Sequence, residues 1–186
     1  MTRTTCSGCG RPEKVCLCSH LQVRALPFEL VIWQDPDEAK HPLSTAPLLH
    51  LSSPGSRLLV GDTFSFTDIF GDCPADDVAL LYPLEGESLT VDLARPQIRK
   101  VLVLDGTWRK VRRLLLLNPW LHTLRHIALT PAESSRYLRV SPRDDGISTI
   151  EAVLMLADEW QPDVGYCEGI AVLDRMRELQ MAMRRT

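Results

Sequence analysis

The clearest sign of the fold lies in residues 100–117, KVLVLDGTWRKVRRLLLL. Lys100 to Leu104 form a short apolar run with the length of a buried strand, and a helix is predicted from Trp108 to about Leu117. Asn118-Pro119 ends this helix, because the residue before a proline disfavours the helical conformation. A buried strand that leads directly into a helix is typical of an α/β domain with a parallel sheet.

The rest of the chain repeats this alternation of strands and helices. Further strands are predicted at residues 28–33, 56–60, 78–82 and 124–129, and further helices at 43–51, 148–160 and 166–183. The order of elements predicts a mostly parallel sheet with helices on both faces. Residues 130–147 are rich in Pro, Ser, Arg and Asp and are predicted to form a long loop.

Length and composition limit the class of protein. A chain of 186 residues with 45% hydrophobic residues can bury one sizeable core. Apolar runs long enough to span a membrane are missing, and the polar N-terminus does not resemble a signal peptide. These features predict a cytoplasmic protein without membrane contact.

Basic residues are unevenly distributed. The net charge of -3 gives no support to nucleic-acid binding, but only four of the 21 basic residues are Lys. Arginine favours bidentate contacts with phosphate, so clustered arginines are candidate RNA contacts, although solvated surfaces explain them equally well. The candidates are Arg109, Arg112, Arg113, Arg136 and Arg139.

Four cysteines lie close together near the N-terminus. Cys6, Cys9, Cys16 and Cys18 have the spacing C-x2-C-x6-C-x-C, which suits one tetrahedral Zn²⁺ ion. His20 is an alternative fourth ligand, and idle thiols, a disulfide and an iron–sulfur cluster are alternative explanations. The predicted organisation is a zinc knuckle at residues 1–20 and an α/β domain at 21–186.

Polar and aromatic residues follow the strand at 100–104. Ligands of open α/β sheets bind at the carboxyl ends of strands, so Asp105, Thr107 and Trp108 are candidate site residues. Asp105 could hold a ligand group or take a proton, Thr107 could cap the helix or contact substrate, and Trp108 could stack on a base or fill the core. An ordinary helix cap explains Asp105 and Thr107 as well.

Two other segments are candidates for ligand contact. The first is the strand end Leu81-Tyr82-Pro83, where backbone groups could contact a nucleoside. The second is Ser148-Thr149, whose hydroxyls and helix N–H groups could bind a carboxylate or phosphate. A capping box formed by Ser148 and Glu151 is a sufficient structural explanation for that pair.

Taken in order, these motifs resemble the DTW-domain family. The resemblance covers nearly the whole chain and includes the cysteine segment with Arg11-Pro12, the strand end at Leu81-Tyr82-Pro83, and the D-x-T-W signature at Asp105 to Trp108. Later blocks are Ser135-Arg136-Tyr137 and residues 148–152. The chain departs from the family at Asp35, where the family often has His before Pro, and at Ser44, where it often has Asn.

The resemblance implies a function and a fold. Similar proteins transfer the 3-amino-3-carboxypropyl group of S-adenosylmethionine to N3 of a uridine in tRNA, and their catalytic domain is similar to the SPOUT methyltransferases, which contain a C-terminal trefoil knot. By this resemblance, structural zinc binds the four cysteines, and Asp105, Thr107 and Trp108 form the catalytic centre. S-adenosylmethionine contacts residues 81–83, Ser148 and Thr149, and the macromolecular partner is tRNA rather than DNA.

Three other functions fit the same sequence. They are the same transfer on rRNA, methylation of RNA by a SPOUT-like enzyme, and RNA binding by a zinc-bearing module without enzymatic activity. The sulfur-containing product separates them, because methylthioadenosine indicates aminocarboxypropyl transfer and S-adenosylhomocysteine indicates methylation. The sequence leaves the target uridine and the oligomeric state open.

Overall fold

Five strands form one sheet in which every neighbouring pair is parallel. The computed structural model describes residues 4–83, 97–129, 135 and 146–184, and the sheet lies within them. The strand order is β2-β1-β4-β3-β5, so β4 lies at the centre between β1 and β3. The strands are β1 (Glu29–Gln34), β2 (Arg57–Val60), β3 (Val78–Leu81), β4 (Lys100–Asp105) and β5 (Arg125–Ile127).

Helices connect and cover these strands. The α-helices in the described part of the chain are α1 (Pro36–Ala39), α2 (Ala46–Ser52), α3 (Phe66–Phe70), α4 (Trp108–Leu117), α5 (Thr149–Trp160) and α6 (Ala171–Arg184). Short 3-10 helices span Glu13–Val15, Cys18–His20, Ala75–Asp77, Pro119–Thr123, Pro162–Val164 and Tyr166–Ile170.

Alternate side chains of the central strands enter two hydrophobic cores, because successive strand residues point to opposite faces. Leu30 of β1 and Val101 of β4 belong to one core, together with residues of α2, α5 and α6. Val31 and Leu102 belong to the other core, together with residues of α3 and α4. The prediction of a parallel sheet with helices on both faces is therefore confirmed.

The predicted strands are all present, and their bounds differ from the prediction by one or two residues. Two short helices were not predicted: α1, which begins behind Asp35, and α3, which begins with a capping box of Ser65 and Asp68. The predicted helix at 43–51 begins only at Ala46. The final predicted helix is divided, since residues 166–170 form a 3-10 helix before α6 begins.

The cysteine segment is packed onto the α/β region. Leu17 is completely buried and belongs to the same hydrophobic core as α2 and α5. The guanidinium Nη2 of Arg11 donates to the backbone oxygen of Ser44 at 3.1 Å. The residues before and after the predicted boundary at residue 20 therefore share a hydrophobic core and are joined by a hydrogen bond.

Within the described residues, every helix is too short or too polar to cross a bilayer.

Candidate functional site

A cavity of about 120 Å³ opens where β3, β4 and β5 end. This is the carboxyl edge of a parallel sheet, the usual place for ligands in open α/β folds. Two aromatic rings, Tyr82 and Trp108, form part of its wall, and their centroids are 5.7 Å apart. The first turn of α5 forms another part of the wall, through Ser148, Thr149 and Ala152.

Asp105 is the last residue of β4 and lies beside this cavity. Its side chain is 5% exposed, and both carboxylate oxygens accept hydrogen bonds from side chains. The Oγ1 atom of Thr149 donates to Oδ1 at 2.6 Å, and the Nε2 atom of Gln34 donates to Oδ2 at 2.7 Å. Thr149 itself lines the cavity, so the carboxylate is joined to the cavity wall.

Thr107 caps α4. Its Oγ1 accepts the backbone N–H of Lys110 at 3.4 Å, which satisfies one of the open donors of the first helical turn. Gly106 precedes it, and a side chain there would begin 3.1 Å from Cβ of Lys110, so glycine allows the close approach of β4 to α4. The cap places Trp108 at the start of the helix, where its ring faces Tyr82.

A capping box fixes the first turn of α5. The Oε2 atom of Glu151 accepts hydrogen bonds from the backbone N–H of Ser148 at 2.7 Å and from its hydroxyl at 2.7 Å. The hydroxyl of Ser135 donates to the same oxygen at 2.6 Å. Glu151 is only 3% exposed, so this cap is buried and holds the turn that carries Thr149.

A second cluster of charges lies between α1 and α4. Asp35 is 1% exposed, and its Oδ1 accepts the backbone N–H of Asp37 at 2.9 Å as the N-cap of α1. Its Oδ2 lies 3.2 Å from Nη2 of Arg113. Lys110 Nζ lies 3.0 Å from Oε2 of Glu38, which is also buried. Arg113 also pairs with Asp62, and the hydrogen bonds that its guanidinium donates to both carboxylates raise the pKa of Arg113.

The four N-terminal cysteines form a compact group. Their sulfur atoms all lie within 4.8 Å of one another, so they could hold one metal ion. Backbone N–H groups of Cys9 and Gly8 lower the pKa of Cys6 to about 6, while burial and the neighbouring thiols raise the pKa of Cys18 to about 12. Four sulfurs this close cannot all ionise without a cation, and thiolates are the metal-binding form. The cluster therefore fits a bound cation.

Most of the predicted site residues meet at one place. Leu81, Tyr82, Pro83, Trp108, Ser148 and Thr149 line the cavity. Asp105 accepts a hydrogen bond from Thr149 of the wall, and Thr107 caps the helix that begins with Trp108. Arg109, Arg112 and Arg113 are exposed on α4. Arg136 and Arg139 lie outside the described residues, as does Tyr137.

Gln34 and Asp35 were not among the predicted site residues. Gln34 is 1% exposed and contacts Asp105 only because β1 and β4 are neighbours in the sheet. No sequence pattern signals that contact. Asp35 had a signal, since Asp before Pro36 is a common helix start, but its ion pair with Arg113 depends on the tertiary fold.

Comparison with known proteins identifies the family of this chain. The family model described as "DTW domain" matches residues 3–183, and the chain belongs to the DTW-domain family. A mouse protein named tRNA-uridine aminocarboxypropyltransferase 2 is 31% identical over 160 residues, which cover 80% of this chain and 54% of the mouse protein. The protein of the same name from Drosophila melanogaster is 28% identical over 98% of this chain and 72% of its own length.

A plant relative extends the similarity. The Arabidopsis thaliana protein named tRNA-uridine aminocarboxypropyltransferase A is 24% identical over 61% of this chain and 50% of its own length. The chain thus spans about half the length of the mouse and Arabidopsis relatives. No solved structure matches it.

Proposed function

We propose that this chain transfers the 3-amino-3-carboxypropyl group of S-adenosylmethionine to N3 of a uridine in tRNA. The observation that carries the proposal is the cavity at the ends of β3, β4 and β5, with a buried carboxylate behind it and an aromatic pair in its wall. The names of the relatives state aminocarboxypropyl transfer to a uridine of tRNA. The cavity lies at the carboxyl edge of the sheet, which is the usual place for ligands in open α/β folds.

The reaction sets a demand on geometry. The N3–Cγ bond forms as the Cγ–S bond breaks, methylthioadenosine leaves, and the N3 proton passes to a base or to solvent. A sulfonium has three activated carbons, so the protein must place Cγ in line with N3 and turn the methyl group away. Placement is thus the main task of the cavity.

Each side chain at the cavity has a role in this proposal. Asp105 accepts the N3 proton or orients the uracil, since its carboxylate lies where the end of β4 is hydrogen bonded to the first residue of α5. Tyr82 and Trp108 provide apolar and π surfaces for a nucleoside. Ser148 and Thr149 lie at the start of α5, where N–H groups and the helix dipole favour the carboxylate of the methionine group. The cavity as described would hold part of the ligand, because complete small-molecule sites occupy about 300–1,000 Å³.

The cysteine cluster is proposed to hold zinc. Cys6, Cys9, Cys16 and Cys18 supply four sulfurs, which is the ligand set of a closed structural Zn²⁺ site. The ion would stabilise a segment that has few apolar residues of its own. Metal analysis of the purified protein should give about one zinc per chain. An iron–sulfur absorbance, or protein without bound metal, contradicts this assignment.

The remaining proposals concern RNA, topology and location. Arg109 and Arg112 are exposed on α4, next to the Trp108 end of the cavity, and suit phosphate contacts. Arg113 is the weaker candidate, because Asp35 and Asp62 already bind its guanidinium. A SPOUT-like C-terminal knot and a cytoplasmic location complete the proposal.

The test is to identify the sulfur product. The protein is incubated with S-adenosylmethionine and unmodified tRNA, and small molecules and digested nucleosides are analysed by mass spectrometry. Methylthioadenosine together with aminocarboxypropyluridine supports the proposal. S-adenosylhomocysteine would show a methyltransferase instead, and transfer to rRNA but not tRNA would show the alternative substrate. If neither product forms with either RNA, the result would contradict enzymatic activity and would favour an RNA-binding module.

A further inference from the structure

Gln34 lies between two other polar groups at the carboxyl edge of the sheet. It is the last residue of β1, is 1% exposed, and stands opposite Asp105 in the register of the parallel pair. Its Nε2 atom donates to Oδ2 of Asp105 at 2.7 Å and to Oγ of Ser44 at 2.7 Å. A side-chain amide has two N–H bonds, so both are used.

These contacts fix the orientation of the amide. A rotation by 180° would place the amide oxygen against the Asp105 carboxylate, where two acceptors would repel each other. In the observed orientation both hydrogens have acceptors, and a buried amide loses free energy when a donor is left unpaired. Gln34 can therefore hold the carboxylate in one rotamer, with Thr149 on its other oxygen.

Ser44 connects Gln34 to the cysteine segment. It is 5% exposed, its hydroxyl accepts from Gln34, and its backbone oxygen accepts from Nη2 of Arg11 at 3.1 Å. Arg11 follows Cys9 by two residues, and Leu17 of the same segment is completely buried in the core. The cysteine segment is thus fixed to the residue that is hydrogen bonded to Gln34.

We propose that Arg11, Ser44 and Gln34 form a hydrogen-bonded chain that positions the Asp105 carboxylate. The three are positioning residues, since they act through Asp105, and the proposal rests on the proposed function for what Asp105 does. Its consequence is that the cysteine segment supports the catalytic edge of the sheet and is not an independent module. Substitution at Arg11 should then change chemistry at Asp105 without any loss of metal.

The first measurement is single-turnover transfer with saturating S-adenosylmethionine and tRNA. Gln34→Met keeps the length of the side chain but removes both donors, and it should lower the rate by about 10²-fold, the order expected when a reacting group is misplaced by about 1 Å. Arg11→Met should lower it by about 3–30-fold, as for residues that act through a contact network. The matched control is Lys14→Met, which removes an exposed cation from the same segment.

A double-mutant cycle identifies the route of the effect. In an Asp105→Ala background there is no carboxylate to position, so Arg11→Met and Gln34→Met should each change the residual rate by less than about twofold. The thermal melting shift of Arg11→Met should be similar in both backgrounds, because Arg11 contacts Ser44 and not the carboxylate. Gln34→Met should destabilise the Asp105→Ala protein less than the wild type, because the hydrogen bond to Asp105 is already lost there. Equal fold losses in both backgrounds would show that these residues act on the whole fold, and would overturn the proposal.

A second measurement does not depend on activity. The side-chain ¹H–¹⁵N resonances of Gln34 are assigned by their absence in Gln34→Met, and they should shift in Asp105→Asn and in Arg11→Met but not in Lys14→Met. Metal content is measured for every variant and should be unchanged. Unshifted resonances in Arg11→Met would overturn the proposed hydrogen-bonded chain, whatever the reaction proves to be. Shifted resonances in a protein that releases no methylthioadenosine would overturn the proposed function, but they would still support the hydrogen-bonded chain.

Discussion

Two aspartates at the ends of neighbouring strands have opposite surroundings. Asp35 follows β1 and Asp105 ends β4. The backbone N–H of Asp35 donates to the backbone carbonyl oxygen of Asp105 at 3.0 Å. Asp35 is 1% exposed and Asp105 is 5% exposed, so burial does not separate them. Asp35 caps a helix and pairs with Arg113, whereas Asp105 accepts from an amide and a hydroxyl at the cavity wall.

The difference shows how one residue type has two roles only a few ångströms apart. A carboxylate that caps a helix and pairs with a cation stabilises the contact between α1 and α4. A carboxylate oriented by uncharged donors beside a cavity has its oxygens held close to the space where a ligand would bind. Replacing each Asp with Asn makes the same chemical change in both places, and therefore each variant is the control for the other.

The largest effect is expected for Asp105→Asn. If Asp105 prepares N3 for attack, transfer should fall by roughly 10²–10⁴-fold, the range for a lost general base. The fold should survive, because Oδ1 of Asn accepts from Gln34 and the hydroxyl of Thr149 accepts as well as donates. Single-turnover transfer and a thermal melt measure the two properties. Near-normal transfer in a stable protein would remove Asp105 from the chemistry.

Asp35→Asn should reverse that pattern. The new side chain still caps α1, but its amide cannot pair with Arg113, so the free energy of unfolding should fall by about 1.5–3 kcal/mol, as for a lost hydrogen bond between charged groups. Transfer by the folded fraction should fall less than tenfold. Urea denaturation measures the stability. A large loss of transfer with unchanged stability would place Asp35, and not only Asp105, in the chemistry.

A smaller effect is expected outside both aspartates, on the exposed face of α4. Arg112→Gln should weaken tRNA binding a few-fold and reduce the slope of log affinity against log salt by about 0.7–0.9, the value for one lost phosphate contact. The matched control is Arg99→Gln, at the opposite end of β4, which removes the same charge from a side chain that is 80% exposed. Equal slopes for the two variants would exclude α4 as the RNA surface.

The smallest effect is expected for an exposed carboxylate, Asp68, in the capping box of α3. Hydrogen bonds from Ser65 lower the pKa of Asp68 in the folded protein below its unfolded value. Its stabilising effect is therefore present above about pH 4 and is lost as the pH falls through the folded pKa. Asp68→Asn should lower the urea midpoint slightly at pH 7, and this difference from the wild type should shrink as the pH falls below about 4 and through the folded pKa of Asp68. A difference that persists in acid would contradict the charge-dependent cap.

Much of the fold was predictable because it depends on local patterns. Lys100 to Leu104 is an apolar run bounded by polar residues, and the structure has a strand there. Ser148 and Glu151 have the spacing of a capping box, and they form one. In both cases the residues that signal the structure are neighbours in the chain. The short helix α3 was not predicted, although its capping box has the same spacing. Only five helical residues follow its N-cap, which is too few for a helical pattern of apolar residues.

The unpredicted parts depend on contacts between distant residues. Gln34 contacts Asp105 across 71 positions of the sequence, and Arg113 contacts Asp35 across 78. Leu17 is a single apolar residue between two cysteines, without periodicity, and its burial in the core comes from the way the segment docks. Sequence reasoning placed Asp105 and Thr149 at one site through the family resemblance, but not the hydrogen bond between them.

The position of β4 has a consequence for how the protein is made. β4 is the central strand and β1 is one of its two neighbours, yet Gln34 and Asp105 are separated by 71 positions in the chain. At a ribosomal rate of about 5–20 residues per second, β4 is synthesised on the order of ten seconds after β1. During that time the edge of β1 that pairs with β4 in the finished sheet has no such partner. The partner of Asp105 on α5 emerges later still, so a nascent chain completes its sheet first and its site last.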